Sequence, residues 1–138
     1  MPRFLATDAA RSRFGWDALR VVLAGLIAAH GWARLVEGGV VPFGAWLGSQ
    51  GFPLGLGIAG AVTALEIVGT VLLLARRWVL PLCLAYAFVY AMGIVLVHAQ
   101  AGWFVVGLGR NGAEYSVLLI ACLLCVGLQH GRAARGAD

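Results

Sequence analysis

The stretch LGLGIAGAVTALEIVGTVLLLARRWVLPLCLAYAFVYAMGIVLVHA, Leu54 to Ala99, decides how the rest of the chain is read. It holds two apolar runs, Leu54–Ala75 and Trp78–Ala99, separated only by Arg76 and Arg77. A helix needs about 20 mainly apolar residues to cross the hydrocarbon core, because lipid offers nothing to an unsatisfied backbone group. Each run meets that length. Their direct junction through two arginines predicts a helical hairpin crossing a bilayer twice.

Working outward, Trp16–Val36 and Ala113–Gln129 read as two further spans, the last being the shortest. Composition agrees: of 138 residues 62% are hydrophobic and 12% charged, with a mean hydropathy of +0.91, outside the range of water-soluble domains. The expectation is an all-α, four-helix transmembrane bundle forming one integral domain. The first run follows a basic, polar opening and is read as an uncleaved span, since it is long and has no clear A-x-A site. Between the first two spans, EGGVVPFGAWLGSQGFP, Glu37 to Pro53, is rich in Gly and aromatics. It is expected to form an outer interfacial segment, with a short amphipathic helix around Phe43–Leu47.

All ten basic residues are arginines, and arginines flanking spans are retained on the cytoplasmic side. Arg3, Arg11, Arg13, Arg20, Arg76, Arg77, Arg132 and Arg135 fall on one side of the predicted membrane, Arg34 and Arg110 on the other. Both termini are therefore expected in the cytoplasm, with the protein in a bacterial inner membrane. No basic run interleaved with aromatics suggests nucleic acid. The partners implied are the lipid bilayer and other membrane subunits.

Within the spans, Glu66 is the most informative residue. A carboxylate at mid-membrane costs about 2.5–3.5 kcal/mol even on lenient insertion scales, so it should turn inward and find a partner. Thr63 and Thr70 share its helical face. His30 is the expected partner and Arg34, one turn above His30, is expected to meet Glu114 at the outer rim. His98 closes the third span, and Glu114 and Tyr115 open the fourth. Glu66 then reads either as a residue that fixes helix register or as a proton relay or headgroup anchor. Gly57 with Ala61, and Gly60 with Ala64, have the small-xxx-small spacing that admits a neighbouring helix. Tyr86 and Tyr90 are one turn apart and read as core residues. Cys122 and Cys125 have C-x-x-C spacing, but inside an apolar run they are expected to be packing residues, as is Cys83. No H-x-x-H or E-x-x-H pair marks a metal site.

These residues, in this order, resemble the DoxX family of four-span bacterial membrane proteins. The similarity rests on LRVVLAGLIAAHGWARL with His30, Gly31 and Arg34, on GAWLGSQGFP, on ALEIVGTVLLLARR with Glu66, and on HAQAGWF followed by GLGRNGAEYSVLLI. It covers about Leu19 to Leu128 and departs at Arg34, where lysine is frequent in the family. The resemblance implies quinone-linked oxidation of thiosulfate, or membership of membrane complexes that manage oxidative and thiol stress. No flavin, nicotinamide or haem fingerprint accompanies it. Three readings follow. In the first, a membrane subunit of a quinone-linked redox system uses Glu66 and His30 as a proton relay, while His30, Arg34, His98, Glu114 and Tyr115 form a polar mouth for the quinone headgroup. In the second, the chain is a non-catalytic assembly or anchoring subunit. In the third, it transports a small solute or ion.

Overall fold

The computed structural model describes residues 7–133, with side chains described through residue 130. Every regular element among these residues is helical. In chain order they are α1 (Asp8–Val36), α2 (Val40–Ser49), α3 (Gly55–Leu74), α4 (Val79–Ala101) and α5 (Glu114–Ala133). Three of them, α1, α3 and α4, are long and apolar enough to cross a membrane. The apolar part of α5, Glu114–His130, is shorter. The segment between the first two long helices contains α2, over the residues expected to be helical.

Helix α1 begins eight residues before the predicted span. Its polar first turn is supported by an ion pair between Arg11 and Asp8, and by the backbone N–H of Ala10 on the Thr7 hydroxyl, a capping arrangement that satisfies an otherwise orphaned donor. Arg3, Arg132 and Arg135, counted above for orientation, lie outside the residues whose side chains are described.

The ends of the helices are set by residues that reach the left-handed region. Gly38 at φ +69° turns the chain out of α1, with the Gly39 N–H on the Arg34 carbonyl at 2.7 Å. Such a bond closes a helix C-terminus where glycine can adopt positive φ without strain. The α3–α4 turn does the same work without glycine: Arg76 and Trp78 sit at φ +58° and +53°, and the Arg77 N–H bonds back to Leu72. The connection from α3 to α4 takes four residues, Ala75 to Trp78, at the junction of the two apolar runs.

The chain divides into two compact units, Arg20–Arg77 and a second formed by residues up to Leu19 with those from Trp78 onward. In the first unit, α2 is docked tightly on the start of α3. A methyl group at Gly55 would stand 2.3 Å from the Gly44 carbonyl oxygen, and one at Gly44 would stand 2.7 Å from Cα of Leu56. In the second, α4 and α5 pack together, with Gly127 against Cys83 and Leu80.

Candidate functional site

Glu66 turns inward, with 7% of its side chain exposed, and its partner is Arg34. Arg34 Nη1 donates to Glu66 Oε2 at 2.5 Å and to the Thr63 hydroxyl at 3.2 Å. Thr63 in turn donates its proton to the Ala59 carbonyl at 2.7 Å. That orients its oxygen lone pairs toward the guanidinium, so both contacts of Arg34 are made to acceptors. The outer face of the guanidinium lies over the Phe43 ring, 4.8 Å from its centroid, within cation–π range. Phe43 is itself stacked on Trp46, with centroids 6.1 Å apart. Arg34 keeps 20% of its side chain exposed. The cation is therefore the member of the pair that a ligand can reach, and the carboxylate stands behind it.

Glycine permits this approach. A methyl group added at Gly31 would fall 2.8 Å from Cβ of Glu66 and 3.0 Å from Cγ1 of Ile67. The α1–α3 contact line thus passes through Gly31. His30 precedes it by one residue and is rotated by about 100° around the helix, whereas Arg34, three residues on, lies within about 60° of the line. The expected His30–Glu66 pairing is corrected for that reason. His30 is exposed, and its Nδ1 engages the Leu26 carbonyl one turn back at 2.9 Å.

Glu66 also sits in a π-helical turn, Leu65–Gly69, where α3 widens by one residue. Such turns recur at functional sites in helices. The Thr70 hydroxyl lies on the carbonyls loosened there, at 2.8 Å from Glu66 O and 2.9 Å from Ile67 O. Thr63 and Thr70 are both buried beside Glu66, so the expected polar stripe exists, with Thr63 serving Arg34 and Thr70 serving the backbone. A second π-turn, Ile94–His98, interrupts α4.

The remaining expected site residues lie in the other unit. His98 Nδ1 meets the Asn111 carbonyl at 2.7 Å. Glu114 accepts the Val105 N–H at 2.9 Å, not a bond from Arg34, which is committed to Glu66. Tyr115 is exposed. Cys83 is buried, Cys122 partly so, and Cys125 exposed. Among the described residues no three His, Cys, Asp or Glu side chains form a metal-binding group. The small-residue stripe of α3 also needs correction. Nothing lies within 4 Å of a methyl group placed at Gly57 or Gly60, and Ala61 and Ala64 are exposed. Close approach uses Gly31, Gly44 and Gly55 instead.

Arg20 is a residue whose burial the sequence concealed. Counted there as a flanking charge, it is 7% exposed within α1. Its neighbours Trp16 and Leu23, at i−4 and i+3 on the same helical face, are the only signal that it turns inward.

No family model matches the chain, and neither a curated protein nor a solved structure does. Function must therefore be argued from the site itself.

Proposed function

We propose that the chain is a multi-pass membrane protein, its long apolar helices completed by α5 as a fourth span, and that it serves a quinone-linked redox system through the Arg34–Glu66 pair. One observation carries the reading: a partly exposed guanidinium over an aromatic ring, backed by a buried carboxylate. A quinone headgroup is planar and presents carbonyl acceptors. Arg34 can donate to such a carbonyl, since a guanidinium has five N–H groups and only Nη1 is used in the contacts above. The Phe43–Trp46 pair offers a surface for offset stacking.

In this reading Arg34, of the residues expected at the polar mouth, is the one that binds the headgroup. Reduction of the headgroup places negative charge on the carbonyl oxygen, which an adjacent guanidinium stabilises. Glu66, released as Arg34 turns to the ligand, is a carboxylate that first takes up a proton from water and then hands it to the reduced oxygen, returning to the ionised form that pairs with Arg34. Electrons come from a partner subunit, because this chain carries no fingerprint of a redox cofactor.

The test is binding of a short-tailed benzoquinone to protein in lipid nanodiscs, followed by tryptophan quenching. Arg34→Gln should weaken binding at least tenfold. Glu66→Gln should leave binding within a few-fold but remove proton uptake coupled to reduction by the partner. Unchanged affinity in Arg34→Gln overturns the proposal.

A second reading, an assembly subunit, is favoured by the open face of Gly57, Ala61 and Ala64 on α3, which suits a neighbouring transmembrane helix. Co-purification of a partner that is lost on Ala61→Leu would support it.

A further inference from the structure

The segment between α4 and α5 is long and mostly apolar for a connection. Its sequence, GWFVVGLGRNGA from Gly102 to Ala113, has a single charged residue, Arg110. Its large side chains point out: Trp103 is 54% exposed, Val106 75% and Leu108 90%. Among the described residues, its backbone bonds tie the two ends of the loop to each other and leave out the N–H groups of Val106 to Asn111 at the tip. The N–H groups of Gly112, Ala113 and Glu114 donate to the carbonyls of Phe104, Gly102 and Trp103 at 3.0–3.1 Å. The Glu114 carboxylate takes the Val105 N–H, and His98 holds the Asn111 carbonyl. Gly112 has no room for a side chain, since a methyl group there would fall 2.3 Å from the Trp103 oxygen. Left-handed Gly102, Gly107 and Asn111 make the reversals.

A loop in water has the opposite surface, because polar side chains cover it. Irregular backbone in the hydrocarbon core is tolerated only where protein groups bind it, so the tip amides belong at headgroup level, where water reaches them, and only the apolar side chains dip into the acyl region. We propose that the Gly102–Ala113 loop is seated in lipid at the hydrocarbon–headgroup boundary, with Val106 and Leu108 against acyl chains, Trp103 at headgroup level and Arg110 reaching phosphate. The proposal rests on the membrane-spanning reading of the chain but not on quinone binding.

Helix lengths point the same way. Where Gly127 of α5 meets Cys83 of α4, the two helices are at one level. From there α4 continues about 27 Å to Ala101, while α5 runs back only about 20 Å to Glu114. The connection therefore descends by about 7 Å beside the end of α4, and α5 starts below the level at which α4 stops. A short α5 is matched to the bilayer when the loop above it shares the lipid. His98 and Glu114, polar residues at the end of an apolar hairpin, are accounted for by the loop carbonyl and amide they bind.

The experiment uses nitroxide labels at Leu108→Cys and Val106→Cys in full-length protein with Cys83, Cys122 and Cys125 replaced by alanine, reconstituted in phosphatidylcholine vesicles. Collision with oxygen, which concentrates in lipid, is compared with collision with a water-soluble nickel chelate. Phe88→Cys, on the exposed middle of α4, is the lipid reference, and Ala9→Cys, at the polar start of α1, is the aqueous one. Labels at 106 and 108 should behave like the label at 88. If 88 is in lipid and 108 collides with nickel as readily as 9 does, the loop proposal fails alone. A nickel-accessible label at 88 means that the membrane reading has failed. Shielding of 106 and 108 from both reagents would mean a protein surface covers them, which also overturns the proposal.

Discussion

Removing one member of the Arg34–Glu66 pair should not cost what removing the other does. In Arg34→Met, a carboxylate with 7% side-chain exposure loses its guanidinium. An uncompensated buried charge costs about 3–5 kcal/mol, and a mid-helix carboxylate about 2.5–3.5 on insertion scales, so about 3 kcal/mol is expected. In Glu66→Leu, the guanidinium keeps the Thr63 hydroxyl and the Phe43 ring. It is already 20% exposed, and its long stem lets it swing outward, so about 1 kcal/mol is expected. With both replaced by apolar residues of similar length no charge is stranded, and the double variant should also lose only about 1 kcal/mol. The cycle then closes on a coupling of about 3 kcal/mol, large for a pair within one molecule. Unfolding in mixed micelles by increasing sodium dodecyl sulfate, followed by tryptophan fluorescence and circular dichroism, measures all four proteins. Additivity within about 0.5 kcal/mol would refute the idea that each charge is held in place by the other. A costlier Glu66→Leu than Arg34→Met would refute the assignment of the carboxylate as the trapped partner.

Other substitutions test the packing around the pair. Gly31→Ala, which puts a methyl group 2.8 Å from Cβ of Glu66, should destabilise by about 1–3 kcal/mol in the same unfolding assay, whereas Gly57→Ala, with nothing within 4 Å, should stay within about 0.5 kcal/mol. Thr70→Val removes the hydroxyl from the Glu66 and Ile67 carbonyls and should cost about 0.5–1.5 kcal/mol. Mass spectrometry after brief exposure to a lipid-soluble maleimide should find Cys125 labelled and Cys83 unmodified, following their exposed and buried positions; labelling of Cys83 in folded protein at the rate of Cys125 would contradict the α4–α5 packing.

The helix order was legible because apolar runs long enough to cross a bilayer have few alternatives, and because the paired arginines at 76 and 77 leave room only for a turn. Glu66 was legible as an inward residue for a similar reason: the cost of a carboxylate in lipid is larger than most packing preferences. Its partner was not. Depth along a helix follows from counting residues, but the direction a side chain faces depends on where two helices touch. That point is fixed by Gly31, which has no side chain to announce itself. The same limit applies to the small-residue spacing on α3. Gly57, Gly60, Ala61 and Ala64 have the right period, yet the face that meets α1 runs through Thr63 and Glu66. Period does not give direction. The π-turn had no separate sign, since a threonine four residues after Glu66 back-bonds in ordinary α-helix as well.

Two of the polar groups among the described residues do different physical work. His98, Asn111 and Glu114 spend their hydrogen bonds on a loop: ring nitrogen to carbonyl, carboxylate to amide. Glu114 holds only a neutral donor in the contact described, and His98 only a neutral acceptor, so this group secures backbone. Arg34 and Glu66 instead oppose full charges across two helices, with the cation facing a ring and the anion buried. The proposed function requires two arrangements of this pair, closed on itself as in the structure or opened by a ligand that takes over the guanidinium. A ligand shifts that balance only as far as it binds the open arrangement better than the closed one. Strengthening the closed pair should therefore weaken ligand binding, and loosening it from the carboxylate side should not. That asymmetry is why Glu66→Gln, which removes the competing charge but keeps the cation, is expected to preserve quinone affinity while Arg34→Gln is expected to weaken it at least tenfold. A site that needed both residues only as structural glue would lose binding in either variant to the extent that it lost stability.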